Sequence, residues 1–92
     1  MNSKPYTIPS TVMVQVVDDE TLLYDSATGL FFALNETGAM MWDSIATHDD
    51  LADVHVELME AFEVAPEQLA SDMEAFVSSL SKQGLIKIET TN

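Results

Sequence analysis

The chain has no cysteine and no arginine, only three glycines and three prolines, and three lysines against sixteen acidic residues. Without cysteine there can be no disulfide, thiolate metal site or thiol nucleophile, and a reducing, cytoplasmic setting is expected. The net charge of −13 opposes the phosphate backbone, whose affinity for proteins rests on Arg and Lys. No apolar run approaches the ~20 residues that span a bilayer, and the opening MNSKPYTIPS lacks the apolar stretch of a secretory signal. Neither nucleic acid nor membrane is therefore an expected partner. The chain contains no glycine-rich phosphate loop and no Gly-x-Ser-x-Gly elbow. Its two histidines, His48 and His55, would stand about two helical turns apart, too far to share an ion. Catalysis, a metal and a cofactor are all unexpected.

What remains is a small domain with clear punctuation. At 92 residues it is expected to bury only about 60–65% of its unfolded surface in one modest core. Residues 1–10 carry Pro5 and Pro9 without periodicity and are expected to form an extended arm, with the domain proper over residues 11–89. The Val-rich stretch Thr11–Val17, the polar Asp18-Asp19-Glu20 and the stretch Thr21–Asp25 predict a hairpin. Gly29 supplies the positive φ that closes a second hairpin turn, and Leu30–Leu34 is the third strand. Asn35 is a natural N-cap for a helix over about Glu36–Ala46. A second helix starts from Asp49 or Asp50, with Leu51, Val54, Leu58 and Phe62 in one stripe. Pro66 suits the first turn of a third helix, about Glu67–Gln83, with Leu69, Met73, Phe76 and Leu80 inward and Gly84 as its stop. Leu85–Glu89 reads as a short strand. The fold class is α+β, a three-stranded antiparallel meander followed by three helices, and its third strand lies on an edge.

An edge strand offers unpaired amides and carbonyls, which is what strand-addition recognition of an extended peptide requires. Leu30, Phe32 and Leu34 share one face and are expected in the core, while Phe31, and with it Ala33, faces the other way. On the third helix, Ala70 and Val77 lie beside Met73 and widen the apolar stripe toward one flank. If strand and helix are neighbours, an apolar groove runs between them, with Phe76 and Leu80 on the same stripe. Asp72 could meet a peptide amide or base there, or could serve only the helix dipole. Burial in the core is the competing reading for each apolar member. A further competitor is the segment Leu85–Glu89, which would close the groove if it paired with the third strand.

The segment Asp25–Trp42, DSATGLFFALNETGAMMW, resembles the PqqD family, whose members are also called RiPP recognition elements. The matching residues are Leu23, Asp25, Thr28-Gly29, Phe31-Phe32, Leu34-Asn35, Gly38 and Trp42. Downstream, Asp72, Met73, Ala75, Phe76, Leu80, Gly84 and Leu85 resemble the family's last helix and its exit. The Thr28-Gly29, Leu34-Asn35 and Trp42 pattern is closer to the broad stand-alone group, including proteins of lasso-peptide pathways, than to the PqqD of pyrroloquinoline quinone synthesis.

The resemblance implies a winged helix-turn-helix-like fold. It also implies noncatalytic binding of the leader of a ribosomally made precursor peptide, as a strand beside Leu30–Leu34 and against the last helix. The further implied partner is a peptide-modifying enzyme such as a radical enzyme, a leader peptidase or a cyclase. The alternatives are an adaptor that dimerises through the sheet edge and an acidic winged-helix regulator. Against the regulator, the third helix carries Glu67, Asp72 and Glu74 with Lys82 alone.

Overall fold

The computed structural model describes residues 5–88. The elements run β1 (Tyr6–Thr7), β2 (Val12–Val17), β3 (Glu20–Asp25), β4 (Leu30–Leu34), α1 (Glu36–Thr47), α2 (Leu51–Ala61), α3 (Pro66–Lys82) and β5 (Lys87–Ile88). The expected meander is present as an antiparallel sheet in the order β2-β3-β4, which leaves β4 on an edge. Register pairs Leu23 with Val14 and Phe32, and Tyr24 with Met13 and Phe31, so each row shares a face. The first row faces the helices, where Leu23 is fully buried.

The turns follow from their residues. Asp18 and Asp19 both have positive φ, 48° and 70°, as a two-residue hairpin turn between Val17 and Glu20 demands. At the next turn Gly29 has φ 76° and donates its amide to the Asp25 carbonyl at 2.7 Å. Asp25 is itself enclosed and accepts from the Ala27 amide at 2.9 Å. Its carboxyl is held below the ordinary Asp range by the Thr11 hydroxyl first, and then by the Ala27 amide.

Helix ends obey the same logic. The Asn35 side chain accepts from the Gly38 amide at 2.7 Å, and Asp50 accepts from Ala52 at 2.8 Å. Helix α3 opens on Pro66 and closes with Gly84 at φ 75°. Beyond it, Gly84 N–H reaches the Ser81 carbonyl at 3.1 Å and Leu85 N–H the Leu80 carbonyl at 2.9 Å, the paired bonds of a Schellman ending.

That ending sends Leu85 and Ile86 into the core, and Lys87–Ile88 then pairs with Tyr6–Thr7. The described part of the expected strand thus takes a partner other than β4; Glu89 lies outside the described residues. The N-terminal stretch, by contrast, is not simply an arm. Residues 1–4 lie outside the described residues, but Tyr6 is a core residue whose hydroxyl sits 2.6 Å from the Ile45 carbonyl and 2.7 Å from that of His48. Two prolines hid this, because one buried aromatic in a two-residue strand leaves no periodic trace.

The core joins Leu23 and Leu34 of the sheet to Met41, Trp42 and Ile45 of α1, Val54 and Leu58 of α2, and four residues of α3. Those four are Leu69, Met73, Val77 and Leu80, so Val77 takes the place expected for Phe76. Both positions fit helical spacing at about 100° per residue. With α2 on the Val77 side, the helix is rolled to bury Val77 and leave Phe76 half-exposed.

Burial first, and then Asp49, Asp50 and Asp53 nearby, push the Tyr6 phenol up to about 12. A raised folded pKa favours the protonated phenol, so its stabilisation is complete below the unfolded value of about 10 and is lost as pH rises from there toward the folded value. Replacing Tyr6 with Phe should cost about 1 kcal/mol at neutral pH. The gap between wild type and Tyr6→Phe in urea denaturation should then shrink above about pH 10; a gap that stays constant to pH 11.5 would show that the phenol proton contributes nothing.

Candidate functional site

The site is built on β4, the edge left open when β5 pairs elsewhere. Its residues alternate as a strand must. Leu34 is buried and Leu30 and Phe32 are half-buried against the core, while Phe31 and Ala33 are exposed. Phe31 is 56% exposed and lies against Tyr24, with ring centroids 4.5 Å apart at 35°. An aromatic left this open beside an unpaired strand edge is unusual in a small acidic protein and supplies an apolar contact next to the free backbone.

Between β4 and α3 lies a cleft of about 270 Å³. Phe32, Ala33 and Leu34 form one wall and Asp72 and Phe76 the other, with Gly38 and Met41 on the floor. Gly38 leaves room at the floor of the cleft. A Cβ at that position would stand 3.1 Å from Asn35 Oδ1 and 3.4 Å from the Phe76 ring, so any larger residue pushes on the helix cap or on the wall. Asp72 is exposed and accepts from the Gln68 amide at 2.9 Å. Past the end of β4 a second hollow of about 430 Å³ is lined by Asp19, Glu36 and Asp43 together with Leu34, Asn35 and Met40. This hollow lies on the other face of α1 from the cleft, which Thr37, Gly38 and Met41 line.

The candidate residues read from sequence divide between two places. Leu30, Phe31, Phe32, Ala33 and Leu34 form the strand, and Asp72 and Phe76 face it. Ala70, Met73 and Val77 do not. They lie on the opposite flank of α3, where with Leu51, Ala52 and His55 of α2 they line a cavity of about 490 Å³. Leu80 is fully buried and reaches neither surface. The sequence showed a wide apolar stripe but not which of its flanks meets the strand; that depends on the roll of α3 against α2. Gly38 and Met41 were missed as groove residues. The available signal was the glycine itself, because Gly in the first turn of a helix opposes propensity and asks for a steric reason.

Among the described residues no group of three or more His, Cys, Asp or Glu is placed to hold a metal ion. His55 Nε2 lies 3.1 Å from the Pro66 carbonyl and joins α2 to the start of α3. His48 follows α1, with its Nε2 3.2 Å from a carboxylate oxygen of Glu57. The Ser44 hydroxyl first, and then His48, hold the Glu57 carboxyl below the usual range. No helix of the described residues is long and apolar enough to cross a membrane.

The profile of the family described as "Coenzyme PQQ synthesis protein D (PqqD)" matches residues 20–86. Among solved structures, "TbiB1 in Complex with the TbiA(beta) Leader Peptide" superposes with a TM-score of 0.78 at 21% identity, covering 94% of this chain and 98% of that one. "Lasso peptide synthetase B1 complexed with the leader peptide" superposes with a TM-score of 0.74 at 26% identity, covering 89% of this chain and 96% of that one. No curated protein matches the chain.

The two faces of α3 should separate in mutagenesis. Val77→Asp places an unpaired charge in the core and should cost about 3–5 kcal/mol in urea unfolding, whereas Phe76→Ala should cost about 1–2 kcal/mol. Equal losses would mean that α3 is not rolled as described.

Proposed function

The chain belongs to the PqqD family, and from that membership together with the open β4 edge we propose that it captures the leader segment of a ribosomally made precursor peptide. The leader adds to β4 as a fourth strand of the sheet and lays alternate side chains into the cleft beneath Phe76. Backbone hydrogen bonds to β4 supply affinity that any extended peptide would share. Selectivity comes from the apolar lining of the cleft and from Asp72 at its rim, and the net charge of −13 favours a leader that carries basic residues. The free edge of β4 carries this reading, because β5 could have occupied it and pairs with β1 instead.

The role is noncatalytic. Holding the leader keeps the rest of the precursor near the active site of a partner enzyme, which gains in effective concentration without new contacts to the reacting residues. Partners of this kind would be a radical enzyme, a leader peptidase or a cyclase. Both similar structures, TbiB1 and a lasso peptide synthetase B1, are complexes with leader peptides, which supports the same class of ligand here.

Isotopically labelled protein titrated with the leader of its co-encoded precursor should show amide shifts at Leu30–Leu34, Gly38, Met41, Asp72 and Phe76, and little change at Ala70. A leader N-methylated at every second residue, in the register that faces β4, should bind at least about tenfold more weakly, since it lacks the donors that strand addition uses. Raising salt from about 50 to about 500 mM should weaken binding as the net charge of −13 is screened from a basic leader. Shifts confined to the α2 side of α3 would refute the assignment.

A further inference from the structure

The other edge of the same sheet is also open. Strand β2 ends the order β2-β3-β4, and its sequence VMVQVV contains no charge and no proline. Edge strands are ordinarily protected by both. Here Met13, Val14, Val16 and Val17 are 45%, 48%, 70% and 49% exposed. They lie on both faces: Val14 and Val16 share the row of Leu23 and the row of Leu34, yet they stay exposed where those two residues are buried, and only Val12 of the strand's apolar residues packs against the core. The strand therefore overhangs the helical layer as an uncharged apolar ribbon, in a protein of net charge −13. At its end stand Asp18, Asp19 and Glu20, all exposed.

We propose that β2 docks a strand of the partner enzyme, one with apolar side chains on both faces followed by basic residues that lie against the Asp18-Asp19-Glu20 turn. The inference rests on the reading of β4 as the leader's edge, and it assigns the enzyme to the opposite edge. A second copy of this chain is the weaker occupant, because it would bring another −13 of charge to the contact. A basic strand meets both halves of the feature, the ribbon through backbone pairing and burial, and the turn through charge. Leader and enzyme would then lie in one continuous five-stranded sheet, four strand spacings or roughly 19 Å apart, and neither would displace the other.

Two variants isolate the edge. Val14→Lys with Val16→Lys puts charge on exposed positions of β2, and Asp18→Asn with Glu20→Gln removes two exposed carboxylates while keeping a sequence that favours the same turn. Each is compared with wild type for binding to the purified maturation enzyme encoded with the precursor, and separately for leader affinity and thermal unfolding. The lysine pair should weaken enzyme binding by at least about thirtyfold, and the turn pair by about tenfold with loss of its salt dependence. Leader affinity should stay within about twofold in both, and the amides of Val12–Val17 should gain hydrogen-exchange protection in the wild-type complex. Enzyme binding unchanged in the lysine pair would overturn the proposal, as would wild-type protein that binds leader but no enzyme. A mass that doubles with concentration and reverts in the lysine pair would also overturn it, by assigning β2 to a second copy. Loss of leader binding by wild type would instead strike the function proposed for β4.

Discussion

Everything functional in this fold depends on where the chain goes after α3. Gly84 ends the helix in the left-handed conformation, and the Leu85 amide returns to the Leu80 carbonyl. Only then can Leu85 and Ile86 enter the core and Lys87–Ile88 meet Tyr6–Thr7. A helix that ran one turn further, or an exit on the other side, would leave a short apolar strand free beside an unpaired edge. The two would be natural partners, and the groove would be filled by the protein itself. The Tyr6 hydroxyl between the Ile45 and His48 carbonyls fixes the alternative partner in place. The edge of β4 is kept open here by giving the competing strand something else to pair with.

A second constraint is steric and local. Gly38 lets α1 begin close to Leu34 and Phe76, since a Cβ there would meet Asn35 Oδ1 at 3.1 Å and both of those side chains within 3.6 Å. The same residue donates to the Asn35 cap. One position thus both serves the helix start and shapes the floor of the cleft, which links the local rule for a helix terminus to the shape of the candidate site.

The three-stranded meander, the N-cap Asn35, the entry at Pro66 and the stop at Gly84 were all legible from sequence. Each rests on a residue whose backbone preference admits few alternatives. The strand half of the site was legible for the same reason, since an edge follows from a meander of three. The helix half was legible only as a stripe. Phe76 and Val77 are neighbours and both apolar, so periodicity cannot say which is inside; the position of α2 decides, and that is a tertiary fact. Tyr6 was hidden for a different reason, because its role is carried by one hydroxyl and one ring rather than by any pattern. The exposed valines of β2 read as ordinary strand residues in sequence, and only the extent of the helical layer reveals that they are uncovered.

Pairing of Tyr6 with Ile88 also brings the two ends of the described domain to one point on its surface. A polypeptide that enters and leaves at neighbouring positions can be spliced into a loop of a larger chain without stretching its host. The geometry of its described ends thus suits insertion, and a permuted version opened at the Ser26–Gly29 turn, with those ends joined by a short linker, would retain every strand pairing that defines the sheet.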